Sequence, residues 1–323
     1  MLVKDLLIDI PERANASKTQ LHIRIVSDNE DSLNTMPYVF MLPGGPGANH
    51  SHYKDYECLH SSANVVFFDP RGCGLSEKGE PSSYSMDNYI QDVDVIRRHL
   101  NLEKITLLGK SYGAMCALGY TLTYPEHVSS LVLAAGSPSF KNIESARLNI
   151  EKRGSLAQQQ VCEQLWAGNF KSDKEVDNFF DVMGTMYSWR KRHNLPVNRP
   201  AADYNFAREP LNQGFGGFLR TFNYEERLHE VACNTLILVG EEDWVTDKKH
   251  SELMASKIPN NQFIVFPNAD HSMESDVPHE FFSSIETFLK KQCEKRSQHL
   301  FFKEENAEKG PSLEDADKAK LCI

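Results

Sequence analysis

With 323 residues, 40 % of them hydrophobic and 25 % charged, the chain has an ordinary globular composition. It has room for one large α/β domain with an insertion, or for two domains. A formal net charge of −10, with no basic stripe to offset it, argues against a nucleic-acid binder. The seven cysteines (Cys58, Cys73, Cys116, Cys162, Cys233, Cys293 and Cys322) are scattered and form no C-x-x-C pair. They read as reduced thiols of a reducing compartment rather than a disulfide framework. Residues 1–10 are interrupted by charges and lack a signal-peptide core, and no apolar run reaches transmembrane length. The expectation is a cytoplasmic protein with no membrane partner.

Taken in chain order, two strand-like segments open the chain, near Asp5–Ile10 and Gln20–Val26. The polar turn between them suggests an antiparallel start. Tyr38–Leu42 follows and ends in Pro43-Gly44-Gly45-Pro46-Gly47; Asn64–Asp69 ends in Pro70-Arg71-Gly72-Cys73-Gly74. From Met86 to Leu100 the apolar residues recur at helical spacing. Ile105–Leu108 is a short β-branched and apolar run that meets Gly109-Lys110-Ser111-Tyr112-Gly113, and a helical pattern then runs to Pro125. Leu131–Ala135, Thr235–Val239 and Phe263–Phe266 read as further strands, and Phe281–Leu289 as a helix. This alternation predicts a mostly parallel sheet with helices on both faces, whose ligand sites lie at the carboxyl ends of the strands. Residues 139–228 break the alternation with amphipathic stretches around Val161–Trp166, Val176–Trp189 and Phe206–Phe222. They are expected to form a helical cap inserted into a core of residues 1–138 and 229–292. Residues 293–323 form a charged tail, expected to be flexible.

Strand, G-x-S-x-G turn and helix together place Ser111 at a strained apex, beside the first N–H groups of a helix. A serine hydroxyl needs a base, and the base needs an orienting carboxylate. Gly240-Glu241-Glu242-Asp243 after a late strand supplies the acid, with Asp243 preferred over Asp247 and Glu242. Of the chain's twelve histidines, His271 falls after the last strand and before the closing helix, where the base belongs. The oxyanion donors are expected to be the backbone N–H groups of Tyr112, which follows the serine, and of Gly45 in the glycine-rich loop. His50 and His52 form an H-x-H pair without a third ligand at usable spacing, so no metal site is assigned and both are read as rim residues. Asp69 and Arg71 read as loop braces.

With these residues in place, the chain resembles the prolyl iminopeptidase family of α/β-hydrolases, which includes the tricorn-interacting aminopeptidase. The resemblance rests on Gly44-Gly45-Pro46-Gly47, Phe68-Asp69-Pro70-Arg71-Gly72-Cys73-Gly74-Leu75-Ser76-Glu77, the Ser111 motif, Gly240-Glu241-Glu242-Asp243 and Asp270-His271-Ser272. It implies an α/β-hydrolase fold with a helical cap, no cofactor, and release of an N-terminal residue, often proline, from short peptides. It also implies carboxylates that hold the substrate's α-ammonium, one in the cap and one after the catalytic Asp. Here Trp244 follows Asp243, and Pro43 stands where the family has His. Glu209 is the expected cap carboxylate, another alignment puts Gln213, an amide, at that position, and Glu225 and Glu226 are further candidates. A carboxylesterase, thioesterase or amidase on the same scaffold is the second reading.

Overall fold

Eight strands form one sheet in the order β1-β2-β4-β3-β5-β6-β7-β8 in the computed structural model, which describes residues 1–308. The strands are β1 (Leu2–Ile10), β2 (Thr19–Ser27), β3 (Tyr38–Leu42), β4 (Asn64–Phe68), β5 (Ile105–Lys110), β6 (Val128–Ala134), β7 (Asn234–Gly240) and β8 (Asn261–Phe266). β2 pairs antiparallel with both β1 and β4, and every other pairing is parallel. The parallel strands are apolar runs because helices cover both faces, and their side chains alternate between two cores. Phe40, Leu42, Leu107, Leu131 and Leu133 point to one face. Val39, Met41, Leu108, Val132 and Ala134 point to the other.

Short α1 (Ser32–Thr35) precedes β3. The first core is covered by α2 (Met86–His99), α3 (Tyr112–Thr123) and, after the cap, α9 (Lys248–Lys257). The second is covered by the 3₁₀ segment His50–Ser61 and by α11 (Pro278–Glu308), which follows the short α10 (Met273–Asp276). The tail boundary expected at 293 therefore falls inside α11, and residues 309–323 of that tail lie outside the described residues. Among the described residues, no helix is long and apolar enough to cross a membrane.

Between β6 and β7 the chain leaves the sheet for α4 (Lys141–Arg153), α5 (Leu156–Ala167), α6 (Asp173–Tyr187), α7 (Trp189–Arg192) and α8 (Arg208–Gly216). These helices enclose a third apolar cluster that includes Cys162, Leu165, Phe179, Met183, Leu211 and, from the sheet's side, Trp244. Ser145 of α4 hydrogen-bonds His250 of α9 at 2.9 Å, tying cap to core.

α3 lies very close to the sheet. A Cβ on Gly113 would overlap the carbonyl oxygen of Leu42, and one on Gly109 would overlap that of Gly113. Gly113→Ala is therefore expected to destabilise the protein by about 2 kcal/mol or more. Gly184→Ala in α6, where a Cβ meets only the Lys191 ammonium at 3.9 Å, should stabilise it by roughly 1 kcal/mol. Urea denaturation of the two variants measures both signs. Burial lowers the His250 pKa to about 4 from 6.5. Between those values the unfolded chain takes up a proton that the folded cap–core seam refuses, so stability falls as the pH drops through the window. The urea midpoint should decline from pH 7 to pH 5, and His250→Gln should remove on the order of 1 kcal/mol of that decline.

Candidate active site

Ser111 sits between the end of β5 and the start of α3 with φ 56° and ψ −122°. Non-glycine residues adopt positive φ at a cost, typically about 1–3 kcal/mol, and only where their surroundings over-determine it. Here the Ser111 N–H donates to Ala134 O at 2.9 Å, and Ser111 O accepts from Ala114 N, also at 2.9 Å. The hydroxyl is thereby lifted to the carboxyl edge of the sheet, partly exposed.

His271, in the loop between β8 and α10, contacts both oxygens of Asp243 through Nδ1, at 3.0 and 2.9 Å. A carboxylate only accepts, so Nδ1 carries the proton and Nε2 is the basic nitrogen. Asp243 also accepts from the Val245 and Thr246 N–H groups at 2.9 and 3.0 Å and from the Thr246 hydroxyl at 2.9 Å. Burial alone would raise the Asp243 carboxyl. The charge and hydrogen bond of His271, with Lys110 and the Thr246 N–H, bring it down to about 2. Asp243 is thus held ionised against His271. Among the described residues no hydrogen bond joins Ser111 Oγ to the His271 ring. Two contacts bring them close: Lys110, one residue before Ser111, donates from Nζ to His271 O, and the Tyr187 ring, which lines the Ser111 cleft, meets the His271 ring edge-on at 5.7 Å. Hydrogen bonds of this kind often close only with substrate bound. The two lesser acid candidates do other work: Asp247 caps α9, and Glu242 pairs with Arg192 at 2.7 Å.

The loop after β3 faces Ser111. Gly45 has φ +106°, a conformation open to glycine, and its bond to Pro46 is cis. Gly44 N–H is taken by the Tyr53 hydroxyl at 2.7 Å. Among the described residues neither the Gly45 nor the Tyr112 N–H has a protein acceptor, and both residues line the Ser111 cleft.

That cleft encloses about 440 Å³ of open space, its mouth included. Its floor is Ser111, Tyr112, Met115, Trp244 and Val245; the cap supplies apolar walls from α4, α5 and α8, with Asn142 and Tyr187 as polar members. Among the described residues, no aspartate, glutamate, lysine or arginine lines it. Trp244, the residue after Asp243, lines the cleft, 1 % exposed and edge-on to Tyr187. Its indole N–H and the Asn142 side-chain oxygen are buried and have no hydrogen-bond partner among the described residues. Glu209 is not in this cleft. It is half-exposed, pairs at 3.6 Å with Arg208, and lines a separate polar groove with Lys78, Asp173 and Asp203. Gln213 is exposed, Glu225 is engaged by Ser139 and Lys141, and Glu226 pairs with Lys257. The structure thus brings Ser111, Gly45, Tyr112 and Trp244 to one cleft, with the Asp243–His271 pair beside it, and places Glu209 elsewhere.

One reading needs correction. His50 is no rim residue: it is buried, and its ring and N–H both bind Asp69, at 2.8 and 2.7 Å. His22 binds the same carboxylate at 3.1 Å and Asp5 at 2.8 Å. His22, His50 and Asp69 lie close enough to surround an ion, yet both His22 nitrogens and His50 Nδ1 are already satisfied by carboxylates. Burial works against His22 protonation, but the two carboxylates outweigh it and raise its pKa. The cluster acts as a brace for the Gly72–Ser76 turn, where Leu75 N–H also donates to Asp69 at 2.9 Å. Sequence reasoning gave no role to Tyr53, Asn142 or Lys110. Lys110 had one signal, a charge inside an otherwise apolar strand.

The α/β hydrolase fold family matches residues 37–273 of this chain. The chain is 30 % identical over 262 residues to a proline iminopeptidase, PfmaB, of Pestalotiopsis fici, covering 79 % of this chain and 92 % of that one. It is 26 % identical over 264 residues to a proline iminopeptidase of Clostridioides difficile, covering 77 % and 87 %. In fold it is similar to the Mycobacterium smegmatis proline iminopeptidase structure, with a TM-score of 0.63 at 15 % identity, over 89 % of this chain and 98 % of that one. With the hydrolase family matched over residues 37–273 and a relative 30 % identical across 92 % of its length, the chain belongs to the prolyl iminopeptidase family of α/β-hydrolases.

Proposed function

We propose that this hydrolase is a serine aminopeptidase that releases a small apolar N-terminal residue, proline among them, from short peptides. The observation that carries the serine mechanism is the buried Asp243–His271 pair beside a serine at positive φ. The matches to proteins named proline iminopeptidase support the substrate class. In this mechanism Ser111 Oγ attacks the carbonyl carbon of the first residue while His271 Nε2 takes the hydroxyl proton. Asp243 holds the imidazole in the required tautomer and stabilises the imidazolium. The tetrahedral oxyanion lies against the Gly45 and Tyr112 N–H groups, each worth about 10²–10³ in rate. His271 passes its proton to the leaving amine, and water then repeats the sequence on the acyl-enzyme.

A second reading, hydrolysis of an uncharged ester, thioester or amide, is favoured by one observation: among the described residues, no carboxylate lines the cleft to pair with an α-ammonium. Selecting a free amine requires an acceptor near the nucleophile, and burying an unpaired ammonium is costly. The cleft's polar groups, on Asn142, Tyr187 and Trp244, suit a neutral acyl group.

Three substrates separate the readings: a proline arylamide with a free amine, its N-acetylated form, and a short-chain aryl ester. Turnover of the free-amine compound alone is the expected result. Turnover of the ester, with both arylamides inert, would replace the peptidase reading by the second. In either case Ser111→Ala should lose kcat by about 10⁴-fold or more. A Ser111→Ala protein at wild-type rate would exclude both.

A further inference from the structure

Lys110 is the last residue of β5 and stands on the same sheet face as Leu108, which points into the second apolar core. A cation there is 3 % exposed. Its ammonium donates to the main-chain oxygen of His271 and lies 3.5 Å from Glu274 Oε2. Glu274, in α10, is itself buried. Its other oxygen meets Arg199 at 3.2 Å. Arg199 belongs to the cap insertion, and it also pairs with Asp55 at 2.8 Å and donates to His52 O at 2.5 Å. A continuous line of charge therefore runs from the cap, through the segment that follows the Gly44–Gly47 loop, to the residue before Ser111 and the backbone of His271.

Stability alone does not account for this line. Buried ion pairs roughly break even against apolar residues of the same size, because both charges must be stripped of water. Burial would raise the Glu274 carboxyl, but Lys110 and Arg199 overcome it and hold it below the usual range. What an apolar replacement cannot supply is a donor for the His271 carbonyl. None of Lys110, Glu274 and Arg199 lines the Ser111 cleft, so none reaches substrate there.

We propose that Lys110 is a positioning residue for His271, and that Glu274 and Arg199 make its grip depend on the docking of the cap. The proposal rests on the reading of Ser111 and His271 as nucleophile and base. With Lys110 in place, the imidazole is held at the height of the serine hydroxyl. Without it, the loop after β8 is free to shift, and a displacement of about 1 Å in such a group can lower the rate by about 10²-fold.

The test compares Lys110→Met, Arg199→Met and the double variant Lys110→Met/Glu274→Leu, on whichever of the arylamide and the aryl ester the wild type turns over. Lys110→Met should lower kcat at least about tenfold while KM stays within about twofold, because the substrate contacts are untouched. Arg199→Met should lower kcat by a few-fold with the same KM. The double variant removes both buried charges. It should recover the thermal midpoint lost by Lys110→Met but not its kcat, the split that a merely structural ion pair would not produce. If Lys110→Met does not fold, the double variant decides alone. A double variant with wild-type kcat would overturn the proposal. So would a loss in Lys110→Met that appears in KM and leaves kcat unchanged. Ser111→Ala, assayed alongside, tests the serine mechanism separately: activity in that variant sinks the mechanism, whereas a fully active double variant sinks only the positioning role.

Discussion

The close approach of α3 to the sheet is the constraint on which the rest of the site depends. Gly109 and Gly113 leave no room for side chains between β5, the end of β3 and the first turn of the helix. The serine between them is forced into a positive φ that it would not otherwise adopt. In return its hydroxyl clears the sheet edge and the first helical N–H points at the same space. Because the sheet is parallel from β4 onward, the loops after β3, β5, β7 and β8 all emerge on that edge. The glycine-rich loop, Ser111, Asp243 and His271 converge without any long-range excursion of the chain.

Much of this is legible in the residue order. The parallel strands show as apolar or β-branched runs, and Asp243 and His271 stand out because they fall in the loops that follow two late strands. Asp243 and His271 do meet, at 2.9 Å. Three kinds of feature were less visible. Helix α9 and the 3₁₀ segment His50–Ser61 carry many polar residues and no clean apolar stripe, so periodicity gave no purchase on them. His50 looked like a surface residue because its partner Asp69 is nineteen positions away. The cap residues were the hardest. Their role depends on which face of each helix turns toward Ser111, and for Glu209 the chemistry of the residue said nothing about the direction it takes in α8.

Charge is distributed unevenly around the cleft. The walls are neutral, while ionised groups sit one layer behind them: Asp243 under His271, the Lys110–Glu274–Arg199 line beneath the sheet edge, and Arg153 and Arg192 on Asp270 at 2.8 and 2.7 Å. Asp270 immediately precedes His271, and both arginines come from the cap. The loop that carries His271 is therefore held from two sides by groups that do not line the cleft. Fixed charges at this distance act through orientation and through the field they impose.

Trp244 has a consequence for how such a protein can be taken apart. It lies beyond the inserted segment in sequence, on the core loop that also carries Asp243, yet its side chain completes the apolar centre of the insertion. The cap is therefore not a self-contained module. Excised alone, it would lose the aromatic ring around which its helices pack; grafted onto another scaffold, it would need that loop to travel with it. A host that received this insertion would accordingly need a bulky apolar residue at the place of Trp244.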